Sequence, residues 1–363
     1  MKVLTVLGTR PEIIKLSPLL PLLDEHFEHR LVHTGQHYSY EMDRIFFDEL
    51  RIRDPDHHLD VGSGSHAAQT AAILAKLDPI LERERPGLVI VQGDTNSTLA
   101  GALCAAKRQI PVAHVEAGCR SFNRAMPEEL NRILTDHLSS FLFAIDEGDV
   151  KNLLTEGIPK EKIHLTGRTS SVACRRNLQL AQASPILGKH HLKPREFIVA
   201  TVHRAENTDD QAQLREIMES LEEIASEMTV IVPLHPRTRK LLQEFKISLR
   251  NITVIEPLGY LDFLKLASEA YLLLSDSGGI QEEAVELNVP CLILRNETEH
   301  RAFVAAGKNL LVGTRKAGIV KKAQELIRNE EDVRRMRDLP FATEHDAPAK
   351  IIRILKAHAL ISL

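Results

Sequence analysis

The sequence contains no run of about 18 apolar residues, so nothing in it predicts a membrane span. Its four cysteines, Cys104, Cys119, Cys174 and Cys291, are scattered and form no CxxC pair; they read as reduced thiols in a cytoplasmic protein. None of the seventeen histidines falls in an HExxH or comparable spacing, so no metal is expected. No GxGxxG follows a strand with a ribose-binding acid downstream, and no GxxxxGK[ST] occurs. That excludes the dinucleotide and P-loop phosphate fingerprints, and no cofactor is expected. The net charge of −4 gives no reason to expect a nucleic-acid or membrane-surface partner. The apolar run in MKVLTVLGTRPE is too short for a signal peptide. Repeats and low-complexity segments are absent as well.

What is present is a 363-residue chain, 43% hydrophobic and 26% charged, the balance of a soluble globular protein of two domains. Short apolar runs (MKVLTVLG, LVHTG, GLVIVQGD, PVAHVEAG, FLFAID) alternate with helical segments and short turns, which predicts a parallel, doubly wound α/β sheet over residues 1–166. The regularity fails over 167–194, a polar, mixed stretch that reads as a linker. Alternation resumes over 195–345 with FIVATVH, MTVIVPLHP, ITVIEP, AYLLLSD and PCLILRN, giving a second parallel-sheet domain. The end of the chain, 346–363, reads as an amphipathic helix that could pack back on the first domain. The histidines of HHLD at 57–60 and KHH at 189–191 read as solvated loops.

Ligands of open parallel sheets bind beyond the carboxyl ends of the strands. Those ends carry Arg10, Glu12 and Lys15, then Asp94, then Glu116, in the first half, and His203, Arg204, His235 and the Ser277-Gly278-Gly279 turn in the second. Each has an ordinary reading. Arg10 could pair with Glu12, Asp94 could cap the helix after it, and His203 could be a satisfied turn residue. In SDSGGIQEE, the Ser or Asp could cap a helix whose first turn holds Glu282 and Glu283. The alternative is that bare backbone at a helix start binds a phosphate. Gathered on one rim of each sheet, these groups suit a ligand with an anionic end and a polyhydroxy end.

The stretches GTRPEIIKLSPL, HTGQH, GDTNSTLAG, PVAHVEAGCRS, MPEELNRILTDH, VHRAEN, HPRT, IEPLGYLDFLKL and SDSGGIQEEAVELNVPCLILRNETE occur in this order. With them the chain resembles, along nearly its whole length, the non-hydrolysing UDP-N-acetylglucosamine 2-epimerases. The resemblance implies a type-B glycosyltransferase fold of two Rossmann-like domains, a nucleotide sugar in the interdomain cleft, and a homodimer. It implies that Asp94, Glu116, Glu128 and His203 are catalytic. It further implies that Ser277, Gly278, Gly279 and Glu283 hold diphosphate and ribose, that Leu258 and Phe263 flank the uracil, and that Arg10 and Lys15 neutralise the diphosphate. Gln36, His37, Arg204 and His235 match part of a site where many bacterial members bind an activating substrate molecule, with Ser39 where glutamine is common. Three stretches depart from the family pattern: Thr298-Glu299-His300-Arg301-Ala302, Gly167 to Ala173, and Thr343-Glu344-His345. A related UDP-sugar as substrate, a glycosyltransferase of the same fold, and a nucleotide-sugar-binding protein without turnover are the alternatives.

Overall fold

The structure is a computed structural model that describes residues 1–36, 40–298, 300–341 and 346–361. His37, Ser39, Glu299 and Thr343-Glu344-His345 therefore lie outside the described residues. The chain packs as two compact units, Met1–Ala173 with Thr343–Leu363, and Cys174–Ala342.

The first unit holds a seven-stranded sheet in the order β3-β2-β1-β4-β5-β6-β7. Its strands are β1 Lys2–Leu7, β2 Glu28–His33, β3 His57–His58, β4 Leu88–Gln92, β5 Val112–Ala117, β6 Phe141–Ala144 and β7 Ile163–Leu165. Every pairing is parallel. Parallel strands are covered by helices on both faces, which is why KVLTVL and LVIVQ are near-continuous apolar runs without alternation. Leu4, Val6, Val89 and Val91 meet Ile73, Leu77 and Ala100 of the covering helices His66–Glu84 and Asn96–Lys107 in one core.

The second unit holds a six-stranded parallel sheet in the order β10-β9-β8-β11-β12-β13. Here β8 is Phe197–Thr201, β9 Thr229–Pro233, β10 Thr253–Ile255, β11 Leu272–Ser275, β12 Cys291–Ile293 and β13 Asn309–Leu311. Its core joins Ile198, Val230, Leu272 and Leu292 of the sheet to Leu214, Ile217 and Leu221 of the helix Gln211–Ile224. In both sheets the strand order reverses once, between β1 and β4 and between β8 and β11. These are the switch points where a crevice opens beyond the strand ends.

Three expectations change. The stretch 167–194 is not an irregular linker: it is largely helical, with helices Thr169–Ala181 and Ile186–Lys189. The face that Thr169–Ala181 buries is made of Thr169, Ser171, Ala173, Cys174, Asn177 and Ala181. That face is too small and polar to give an apolar period. His57 and His58 are not in a loop but form β3, whose backbone extends the sheet beside Val32 and His33. The edge strands β7 and β13 are three residues each, too short to stand out in the sequence.

Candidate active site

At the first switch point β1 ends in Gly8-Thr9 and the helix Arg10–Leu16 begins, with Pro11 in its first turn. A Cβ on Gly8 would lie 1.8 Å from Thr34 Oγ1 and 2.5 Å from Ser97 Oγ, so only glycine fits. Glu12 is buried and accepts from Gly8 N (2.9 Å) and the hydroxyls of Thr9 (2.8 Å), Thr95 (2.9 Å) and Thr98 (3.2 Å). It ties the turn after β1 to the turn after β4. Burial pushes its carboxyl up, and these hydrogen bonds offset part of that. With both oxygens of Glu12 occupied, Arg10 is not its partner; the guanidinium lies over the Phe46 ring at 5.0 Å.

Asp94 is not a helix cap. Thr95 caps Asn96–Lys107 through a reciprocal pair with Thr98. The Asp94 carboxylate instead takes Arg132 Nε at 3.0 Å and Nη2 at 2.6 Å, and its backbone carbonyl takes Asn131 Nδ2 at 2.9 Å. Arg132 is buried and also donates to Glu129 at 2.7 Å. Burial alone would lower its pKa, but the Asp94 and Glu129 carboxylates overcome that and raise it. Glu116, at the end of β5, has φ of +67°, a left-handed conformation that is strained for a non-glycine residue. The β5–β6 register shifts at this point. Its Oε2 accepts from Lys15 Nζ at 2.7 Å and Gln92 Nε2 at 2.6 Å. Lys15, expected on a diphosphate, also forms an ion pair with Glu116. Glu128 lies half-buried in the first turn of the helix Pro127–Leu138, with no side-chain partner among the described residues. Three carboxylates thus sit on successive elements of one unit, two of them held by cations.

At the second switch point His203 follows β8 and its Nδ1 is 3.2 Å from Asp276 Oδ1. Asp276 is fully buried and also accepts from His203 N (3.0 Å), Arg204 N (3.0 Å) and Asn207 Nδ2 (3.1 Å). Burial alone would raise its carboxyl; His203 and these donors overcome that and hold it below the usual range. The His235 ring lies 6.3 Å from that of His203, and His235 caps its own helix by accepting from Arg237 N. Neither residue proposed as a cap in SDSGG acts as one. Asp276 is committed to the His203 turn, and Ser277, the N-cap of the helix Gly278–Glu286, makes no side-chain capping bond. Without a side-chain cap, the amides at this helix start suit an anion. The glutamates are one turn later than expected: no acid lies in the first turn. Glu283 is half-buried near the Tyr260 hydroxyl, whose pKa burial pushes well up, with the Glu283 charge adding to it. Leu258 and Phe263 are half-buried on either side of Gly259, the N-cap of Tyr260–Ser268.

Among the departing stretches, Thr298 donates to Gln281 at 2.6 Å and accepts from His300 N at 3.1 Å, and His300 lies 3.7 Å from Glu282. The 298–302 segment is thereby hooked to the helix behind the glycine turn. Arg168 reaches Asp146 at 3.3 Å. Gln36 is buried, its oxygen accepting from Ser97 N and Oγ, which gives it a packing role. Reasoning from strand ends missed Arg132, Gln92 and Asp276, since their roles depend on partners distant in sequence.

The family model described as UDP-N-acetylglucosamine 2-epimerase matches residues 22–356. The chain belongs to this family. It is 44% identical over 366 residues to the UDP-N-acetylglucosamine 2-epimerase of Methanocaldococcus jannaschii, covering 98% of this chain and 99% of that one. It is 42% identical over 330 residues to the UDP-2,3-diacetamido-2,3-dideoxy-D-glucuronate 2-epimerase of Pseudomonas aeruginosa, covering 89% and 92%. The crystal structure of the M. jannaschii enzyme in complex with UDP-GlcNAc and UDP matches with a TM-score of 0.89 at 45% identity, over 98% of this chain and 100% of that one. The expected α/β architecture of two parallel-sheet domains is that of this family.

Proposed function

We propose that the protein interconverts UDP-N-acetylglucosamine and UDP-N-acetylmannosamine by losing and regaining UDP. The observation that carries this reading is the set of three carboxylates, Asp94, Glu116 and Glu128, gathered at the ends of β4 and β5 and the start of the next helix, in a chain of this family. The C2 hydrogen of the sugar is not adjacent to a carbonyl, so direct abstraction is too hard. Cleavage of the C1–O bond makes the anomeric carbon cationic and C2 acidic. The C–O electron pair leaves with UDP, a carboxylate takes the C2 proton, and the C2–H pair becomes the double bond of 2-acetamidoglucal. Proton delivery to the opposite face and return of UDP to C1 completes the epimerisation. This needs two acid–base groups, which the carboxylate set supplies. It also needs positive charge and N–H donors on the departing diphosphate. Arg10, Lys15, His203 and the Ser277-Gly278-Gly279 amides have that chemistry. Glu283 suits the ribose hydroxyls, Leu258 and Phe263 the uracil, and His235 stands beside His203.

The P. aeruginosa relative supports a second reading, an epimerase of a related UDP-sugar. The test offers both UDP-sugars in deuterium oxide and follows C2 by proton NMR. The reading expects deuterium at C2 of both product and recovered UDP-N-acetylglucosamine. Exchange only with the diacetamido sugar would select the second reading. Full retention of the original hydrogen during epimerisation would overturn the elimination mechanism. UDP release without C2 exchange, and only with an acceptor, would mark a glycosyltransferase; no reaction at all would mark a binding protein.

The protein is further read as a cytoplasmic homodimer. Four free thiols suit a reducing compartment. Among the described residues no helix is long and apolar enough to cross a membrane. A second copy would cover an apolar groove of about 420 Å³ lined by Leu74, Leu99, Pro127, Leu130 and Leu134.

A further inference from the structure

The Pro127–Leu138 helix buries Glu129, Asn131, Arg132, Thr135 and Asp136 and leaves Leu130 and Leu134 exposed. A helix that puts its polar face inward must spend that face on something specific, because an unpaired buried polar group is costly. Most of these groups have clear partners: Glu129 accepts from the Ser121 and Phe122 amides, Asn131 donates to the Asp94 carbonyl, and Arg132 donates to the Asp94 carboxylate. Asp136 does something different. Its Oδ1 is 2.6 Å from His114 Nδ1, and its Oδ2 accepts from Gly118 N at 3.1 Å and from Arg120 Nη2 at 2.6 Å. The far nitrogen of His114, Nε2, is 2.8 Å from the carbonyl oxygen of Gly93. The ring thus bridges the Asp136 carboxylate and the Gly93 carbonyl. Arg120 runs on to Glu156, at 2.8 and 2.7 Å.

The result is a buried chain from the Gly93 carbonyl through His114 to Asp136, and from Asp136 to the Gly118 amide. Gly93 immediately precedes Asp94, and Gly118 is two residues after the strained Glu116. One carboxylate therefore sets the spacing of the two turns that carry these candidate acid–base groups. Packing alone does not explain it, because a buried ion pair is no more stabilising than apolar side chains of the same volume. We infer that Asp136 is a positioning residue, acting through His114 on the Asp94 turn and directly on the Glu116 turn. The inference rests on the epimerase reading of the site. Proton transfer tolerates little misplacement: an error of about 1 Å can cost on the order of 10²-fold in rate.

The test compares Asp136→Asn, His114→Gln and the double variant, assayed well below each variant's Tm. It measures kcat and KM for epimerisation, C2 deuterium uptake, and UDP affinity by calorimetry. Each single change is expected to lower kcat by roughly 10- to 100-fold while KM and UDP affinity hold within about 3-fold. The double variant should lose no more than the worse single one, since a chain broken once is broken. Unchanged kcat in both folded single variants would overturn the inference. So would losses that multiply in the double variant, or a fall in UDP affinity parallel to that in kcat, both marks of a merely structural role. If Asp136→Asn does not fold, His114→Gln and Glu156→Gln carry the same comparison, Glu156 being the more accessible end of the chain. Wild-type enzyme is measured alongside: absence of wild-type C2 exchange would overturn the activity reading and, with it, the positioning role of Asp136, whereas wild-type exchange with undiminished variants overturns the positioning role alone.

Discussion

Asp149 shows how a single side chain can limit stability. It is buried and accepts from the Ile145 amide at 3.3 Å, and its carboxyl is pushed up to about 7 by burial, with the Asp146 charge adding and Arg168 offsetting part. A carboxyl whose pKa is higher folded than unfolded contributes its full stability below the unfolded value of 3.8 and loses it as pH rises to about 7. Above that pH the folded state carries the whole penalty, on the order of 4 kcal/mol at 1.36 kcal/mol per pKa unit. Asp149→Asn keeps the shape and the acceptor and removes the charge. Scanning calorimetry should show the variant more stable than wild type, by a margin that is larger at pH 8 than at pH 5. A margin that stays flat or shrinks over that interval would rule out the burial of a titrating Asp149. At this scale the sequence was informative wherever a charge followed a strand: Asp94, Glu116 and His203 all stand at strand ends, as read. It was silent on Arg132 and Asp276, which lie 38 and 73 residues from the Asp94 and His203 they serve. It was also silent on the left-handed backbone of Glu116, which residue type does not announce.

Helices tell a different story from strands. Strands buried on both faces write themselves as apolar runs, so all but the shortest were legible. The Pro127–Leu138 helix has apolar residues at helical spacing, Leu130, Ile133 and Leu134, and that spacing points to a core-facing stripe. The structure turns the other face inward, because the polar side chains there have specific partners and the leucines do not. The Gly278–Glu286 helix allows packing and ligand approach to be separated by experiment. A methyl group on Gly279 would meet nothing closer than Ser277 Oγ at 3.9 Å, so the chain itself does not require glycine there. Alanine also favours helix over glycine by about 0.5–1 kcal/mol. Gly279→Ala should therefore keep or raise Tm while weakening UDP binding, measured by calorimetry, because the methyl group stands where the diphosphate would approach the amides. A variant that binds UDP as wild type does would remove Gly279 from the phosphate site. Gly8 is the contrast, since a Cβ there collides with Thr34 and Ser97, and its replacement should damage the fold itself.

For the molecule as a whole, the exposed leucines of that same helix bear on assembly. Leu130 and Leu134 are 46% and 50% exposed, and both line the apolar groove proposed above as the subunit contact. Leu134→Glu places a charge on that surface without touching the buried polar face. Light scattering should then report monomer for the variant and dimer for wild type at micromolar concentration; equal masses would place the subunit contact elsewhere. The two-sheet plan was legible in the alternation of runs, but the boundary was not. It falls between Ala173 and Cys174, inside a helix, and the last residues rejoin the first unit. Ile351, Ile352 and Leu355 of the terminal helix Ala347–Ile361 are buried. During synthesis the order of events therefore runs against the order of the genetic message. The residues of the second unit leave the ribosome as one continuous stretch and can fold as soon as they emerge. The first unit, begun earlier, keeps an unfinished surface until the helix Ala347–Ile361 has been made as well.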